Sequence, residues 1–114
     1  MGKVLQIRVS AETYDPQQVE RHWPRLSRLA WGVNATAEGR VMGVRELIAA
    51  VNDLWKFGNE WSEEIRETVG RALPGLLDLD HRLEAALADR RPDQADALSY
   101  EIEDVLDGLE RELD

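Results

Sequence analysis

The chain has 114 residues, and its 14 lysines and arginines against 23 aspartates and glutamates give a formal net charge of −9 at pH 7. This length predicts one domain. The absence of cysteine excludes disulfides, thiolate metal sites and thiol catalysis, and it favours a cytoplasmic location. No apolar run approaches the ~20 residues that span a bilayer, so we expect no contact with a membrane.

The first predicted element is a β-strand over residues 3–10. Leu5, Ile7 and Val9 alternate with polar residues, which is the two-residue period of a strand with one apolar face. A lone strand leaves backbone N–H and C=O groups without partners. We therefore expect it to pair with the same strand of a second subunit, in a homodimer, or with a short second strand at residues 40–44.

Apolar residues at helical spacing predict that most of the remaining chain is helical. Pro16 is typical of a helix start, whereas Pro24 should kink or split the helix that it enters. The sequence Leu73-Pro74-Gly75 predicts a further break. The predicted helices are 16–31 (kinked), 41–57, 61–73, 75–90 and 93–112.

Helices that each carry one apolar stripe can bury those stripes only against one another. The predicted fold class is therefore mainly α. We expect a compact bundle of four to five helices, preceded by the single N-terminal strand, in one domain that covers residues 1–114.

The acidic side chains are concentrated in the second half of the chain. Residues 1–58 hold eight basic and six acidic side chains, whereas residues 59–114 hold six basic and seventeen acidic ones. Such a surface repels nucleic acid and anionic lipid and attracts a basic protein. The last helix has an apolar side and an almost wholly acidic side, formed by Glu101, Glu103, Asp104, Asp107, Glu110 and Glu112.

Three aromatic residues are candidates for contact with a partner. Trp55, Phe57 and Trp61 surround an interruption of the helical pattern at Gly58. Large aromatic side chains are enriched among the residues that dominate binding energy at interfaces. The alternative for the tryptophans is packing in the core.

Three arginines form a second candidate group. Arg21, Arg25 and Arg28 have the spacing i, i+4, i+7, which places them on one face of a continuous helix. A basic helix of this kind can dock on nucleic acid, but the net charge of the chain disfavours that interpretation. We expect these arginines to meet the protein's own acidic groups or an acidic patch of a partner.

We predict no catalytic residues, no metal and no cofactor. The sequence contains no nucleophile signature and no glycine-rich phosphate loop. Asp78, His81 and Glu84 share one helix face at the spacing of metal ligands. The adjacent charges and Arg82 explain this run without a metal, as a solvated face, which is the interpretation that we prefer.

Three pairs of acidic residues have the spacing Glu-x-x-Glu or Glu-x-x-Asp: Glu60 with Glu63, Glu64 with Glu67, and Glu101 with Asp104. These spacings resemble those with which all-α nucleotide pyrophosphohydrolases hold Mg²⁺ between helices. The resemblance implies a magnesium-dependent enzyme and covers only these spacings.

The function favoured by the sequence is that of a small acidic, non-enzymatic protein-interaction domain. We expect a homodimeric adaptor, inhibitor or immunity-like factor for a basic partner. The pyrophosphohydrolase-like enzyme is the alternative.

Overall fold

The fold is seen in a computed structural model that describes the backbone of residues 5–7, 11–13, 16–31, 43–58 and 60–113. These residues form two strands and five helices: β1 (Leu5–Ile7), β2 (Ala11–Thr13), α1 (Pro16–His22), α2 (Pro24–Trp31), α3 (Val44–Phe57), α4 (Glu63–Ala88) and α5 (Pro92–Glu112). The predicted mainly helical class is confirmed. None of the described helices combines the length and the apolarity that crossing a membrane requires.

The predicted single strand over residues 3–10 is not found. The structure has a short hairpin instead, in which β1 pairs antiparallel with β2 and Leu5 lies opposite Thr13. A partner three residues away closes a much shorter loop than one at residues 40–44, so the pairing costs less chain entropy. Because this ladder lies within one chain, the strand gives no reason to expect a homodimer.

Parts of these predictions lie outside the described residues. They are residues 3, 4 and 8–10 of the strand and residues 40–42 of the possible second strand. Gly43 is the N-cap residue of α3 and Val44 is its first residue. The described end of the segment 40–44 therefore leads into a helix.

Pro24 divides the first predicted helix into α1 and α2, with Trp23 between them. Proline has no N–H, and the break leaves the N–H groups of Arg25 and Leu26 without acceptors in the preceding turn. Glu110 of α5 supplies the missing acceptor. Its carboxylate accepts from the Arg25 N–H at 3.1 Å and from the Leu26 N–H at 3.0 Å.

The indole of Trp23 fastens the same junction to α5. Trp23 is 1% exposed, and its Nε1–H donates to Oδ1 of Asp107 at 2.8 Å. Glu103 and Glu110 are buried as well. The predicted acidic outer face of the last helix is therefore wrong for Glu103 and Glu110, which are buried, whereas Asp107 is exposed and also accepts the hydrogen bond from Trp23.

Helix α4 runs without interruption from Glu63 to Ala88, so the predicted break at residues 73–75 is wrong. Pro74 removes one backbone hydrogen bond from its interior, which costs about 3 kcal/mol. Leu73 and Leu76 on either side of it are buried. Each buried leucine contributes about 1.5–3 kcal/mol, so packing offsets the cost of the proline.

The core lies between α2, α3, α4 and α5, and Val19 of α1 is buried in it as well. Helices α4 and α5 form an antiparallel hairpin joined by residues 89–91, where Arg90 has a positive φ of 55°. The radius of gyration is 13.7 Å, close to the value of about 13 Å expected for a compact chain of this length. The largest fully buried side chains are Trp23, Leu26, Leu47, Ile48, Leu76, Leu83, Ile102 and Leu106.

An ion pair holds the first half of α3 against α4. Nε of Arg45 donates to Oδ1 of Asp80 at 2.7 Å, and Nη2 lies 3.7 Å from Oε2 of Glu84. The hydrogen bond to Asp80 raises the pKa of Arg45, and partial burial lowers it by less. Arg45 is therefore charged throughout the physiological pH range and keeps α3 in register with α4.

Substitution of Glu110 tests the dependence of α2 on its distant cap. Glu110→Ala should lower the free energy of unfolding by about 2 kcal/mol, because two helix N–H groups lose their acceptor. Glu110→Gln keeps one carbonyl oxygen and should cost about 1 kcal/mol. Urea denaturation measures both values.

Glu101→Ala, at an exposed position of the same helix, is the matched control and should change stability by less than about 0.5 kcal/mol. Equal losses for the two alanine variants would contradict the capping role.

Substitution of Pro74 tests whether packing keeps α4 continuous in spite of the proline in its interior. Pro74→Ala restores an N–H inside the helix at an exposed position, and it should raise the free energy of unfolding by about 1–2 kcal/mol. Thermal denaturation followed by circular dichroism measures the change. A fall in stability would mean that the proline ring makes contacts that the fold needs.

Candidate functional site

The junction between α3 and α4, residues 53–58 and 60–71, is called the α3–α4 corner below. Trp55 anchors it from the last turns of α3. Its Nε1–H donates to the carbonyl oxygen of Arg66 at 3.1 Å. A Cβ atom on Gly70 would lie 3.1 Å from Nε1 of Trp55, so glycine at this position lets the indole lie directly against α4.

Arg66 closes the corner from the other side. Its guanidinium carbon lies 5.7 Å from the centroid of the Trp55 ring, within the range of a cation–π contact. Its Nη1 donates to the carbonyl oxygen of Gly58 at 3.2 Å. A Cβ on Gly58 would meet the carbonyl oxygen of Leu54 at 2.7 Å, so this tight exit from α3 requires glycine.

An open cleft of about 480 Å³ lies beside this junction. Its volume falls within the range of about 300–1,000 Å³ that is usual for ligand sites. The cleft combines one indole with two carboxylates and two guanidinium groups. Its lining residues are Trp55, Glu63, Arg66, Glu67, Gly70 and Arg71.

Phe57, the last residue of α3, is the most exposed large apolar side chain among the described residues. It is 84% exposed, whereas Tyr100 on α5 is 49% exposed. Removing a phenylalanine ring from water contributes about 1.5–3 kcal/mol to any association that covers it. The α3–α4 corner therefore offers an anchor residue that the fold itself does not use.

The tryptophans differ from Phe57 in their surroundings. Trp23 is buried in the core, and Trp31, Trp55 and Trp61 are partly buried against it. Of the three aromatic residues predicted to meet a partner, Phe57 is exposed, Trp55 lines the cleft, and Trp61 packs on the core near the start of α4.

The three candidate arginines lie elsewhere in the fold. Arg21 belongs to α1, and Arg25 and Arg28 belong to α2, so the break at Pro24 removes the continuous helix face on which they were expected. Arg25 donates from Nη1 to the carbonyl oxygen of Glu110 at 3.1 Å. Its Nη1 also lies 3.8 Å from Oε2 of Glu110, so this arginine pairs with an acidic residue of its own chain. All three arginines are exposed at the surface.

The acidic pairs that resemble a magnesium site do not converge in the described part of the chain. No group of three or more histidine, aspartate or glutamate side chains is placed there to hold a metal ion. Around His81, Asp78 lies 3.8 Å from Arg82, and Glu84 faces Arg45. All six residues of the Glu-x-x-Glu and Glu-x-x-Asp pairs are exposed: Glu60, Glu63, Glu64, Glu67, Glu101 and Asp104.

Arg66, Gly70 and Arg71 are the site residues that the sequence did not single out. A glycine within a strong helical pattern signals a close approach of another group, and Gly70 has that signature. Arg66 gave no comparable signal, because an arginine on a charged helix is ordinarily solvated. Its contacts depend on the angle at which α3 meets α4.

No family model, curated protein or solved structure matches this chain. Evidence for its function therefore comes from its own side chains, above all those of the α3–α4 corner.

Two glycines of α4 test the contact between Trp55 and this helix. A Cβ atom on Gly75 would have no neighbour within 4 Å, so Gly75→Ala should stabilise the helix by about 0.5–1 kcal/mol. Gly70→Ala adds the same methyl group, but here it would press on the indole of Trp55. This variant should therefore not be stabilised, and the NMR signal of the Trp55 Nε1–H should shift. An equal gain in both variants with an unmoved indole signal would contradict the close approach.

Proposed function

We propose that this chain is a small non-enzymatic protein-interaction domain that binds a basic partner through the α3–α4 corner. In this role it acts in the cytoplasm as an adaptor, an inhibitor or an immunity-like factor. The observation that carries the proposal is the 84% exposure of Phe57 at the end of α3, in a corner whose glutamates Glu60, Glu63, Glu64 and Glu67 are also exposed.

Phe57 is suited to be the central anchor of an interface. Aromatic residues that enter a fully desolvated pocket often account for about 2 kcal/mol or more of binding energy. The helix that carries Phe57 is held at both ends, by Arg45 with Asp80 and by Trp55 with Arg66. A rigid support lowers the entropy that is lost when the ring is buried.

The charges of the α3–α4 corner favour a basic partner. The α3–α4 corner holds five acidic and three basic side chains. Arg66 is one of the three, and it is already bound to Gly58 and Trp55. Exposed carboxylates steer a partner of opposite charge and raise its rate of association.

The corner is a better candidate than α5, although α5 is richer in acidic residues. Glu103 and Glu110 are buried, and Asp107 accepts a hydrogen bond from Trp23. Those three carboxylates are therefore already buried or hydrogen-bonded within the chain. At the corner, Glu60, Glu63, Glu64 and Glu67 are exposed, so their charge faces solvent.

A homodimer is the competing arrangement for this surface. A two-fold interface places the same patch of both subunits face to face. Here it would bring the acidic corner of one subunit against the acidic corner of the other, which costs free energy. We therefore favour a basic protein over a second copy as the occupant.

Paired alanine variants test this proposal. The wild-type chain, Phe57→Ala and Tyr100→Ala are immobilised, and proteins of the source cell that they retain are identified by mass spectrometry. We expect one basic protein that salt releases, whose binding weakens about 30-fold in Phe57→Ala, as loss of about 2 kcal/mol requires. Tyr100→Ala, the matched exposed aromatic of α5, should bind like the wild type.

Two outcomes would overturn the proposal. Retention of the same partner by Phe57→Ala with unchanged affinity would remove the α3–α4 corner from the interface. Light scattering that shows a wild-type dimer and a Phe57→Ala monomer would make a second copy the occupant. Urea denaturation should give both variants a stability within about 0.5 kcal/mol of the wild type, since both side chains are exposed.

A further inference from the structure

We propose that the cleft of the α3–α4 corner is a binding site for a basic side chain, an arginine of the partner. This inference rests on the proposed function and adds the chemical group that the cleft selects. The arginine of the partner would enter the cleft between Trp55 and the first turns of α4.

Glu63 and Glu67 supply the negative charge of this site. They are four residues apart on α4, so their side chains are neighbours on one helix face, and both line the cleft. Both are exposed, and within the described residues neither has a hydrogen bond or an ion pair with another side chain. A guanidinium group presents a planar fork of N–H donors that matches carboxylate oxygens.

Trp55 supplies an aromatic wall that already carries one planar cation. The Arg66 guanidinium carbon lies 5.7 Å from its ring centroid. This contact and the hydrogen bond from Arg66 to the Gly58 carbonyl oxygen, at 3.2 Å, keep Arg66 beside the indole. Arg66 is therefore not paired with Glu63 or Glu67. The two carboxylates are thus left for a second cation.

An anion is the less favourable occupant. Arg71 is the other basic residue of the cleft and is exposed to solvent. An anion would gain from Arg66 and Arg71 but would meet Glu63 and Glu67 at close range, in a chain whose net charge is −9. A partner's arginine gains from both carboxylates and from the field of the whole chain.

NMR titration with Nα-acetyl-arginine amide tests the site in the intact chain. We expect millimolar affinity, with shifts of the Trp55 indole N–H and of the backbone amides of residues 63–71. Nα-acetyl-citrulline amide, which has nearly the same shape and no charge, should bind about tenfold more weakly or not at all. Added salt should weaken the arginine compound and leave citrulline unchanged.

A pair of charge-matched variants locates the binding. Glu63→Gln combined with Glu67→Gln should weaken the arginine compound about tenfold. Glu101→Gln combined with Asp104→Asn removes the same charge from an exposed part of α5, and it should leave the affinity within about twofold.

Three results would overturn the cleft site. They are equal binding of the citrulline compound, equal loss in both double variants, and stronger shifts of the same signals by inorganic phosphate. Failure of this inference is distinguishable from failure of the proposed function. If arginine does not bind but Phe57→Ala still loses its partner, the α3–α4 corner remains the interface and only the cleft site is wrong.

Discussion

The fold depends on a single carboxylate near the end of the chain. Proline at position 24 starts α2 without a conventional N-cap residue, and the side chain of Glu110 replaces that cap from 85 residues away. Because helix N–H groups buried without acceptors are costly, α2 is stable only where α5 presents this carboxylate. Trp23 and Asp107 add a second bond at the same junction, and together they join the N-terminal helices to the C-terminal hairpin.

The α4–α5 hairpin is the part of the fold to which this junction joins the N-terminal helices. Its two helices are 26 and 21 residues long and are joined by a three-residue connection. They bury their apolar stripes against each other and against α3. Arg45 then sets the position of the first half of α3, and Trp55 sets that of its last turns. The α3–α4 corner is therefore joined to α4 by contacts at both ends of α3, and Phe57 is exposed at its end.

The acidic residues of the chain fall into two groups with different consequences. Asp80 accepts a hydrogen bond from Arg45 of α3, Asp107 accepts one from Trp23, and buried Glu110 accepts the N–H groups of α2, so these three stabilise the fold, and Glu103 is buried as well. Glu63 and Glu67 lie at the surface and line a cleft together with the half-buried indole of Trp55. The net charge of the chain does not distinguish these two groups of acidic residues. Only Glu63 and Glu67, whose charge faces solvent, can attract a partner.

The sequence by itself determined the helical class, because apolar spacing and helix-start residues are local signals. Ser62 accepts from the Ile65 N–H at 3.2 Å as the N-cap of α4, and Pro92 begins α5; both follow from residue type and neighbours alone. The sequence also drew attention to residues 55–61 through their aromatic side chains. Only the tertiary structure decided that Pro74 lies inside one helix, since the packing that offsets its cost comes from the burial of Leu73 and Leu76 in the core. Only it separated exposed Phe57 from half-buried Trp55 and assigned Glu110 to α2, because exposure and long-range hydrogen bonds depend on how helices distant in sequence meet.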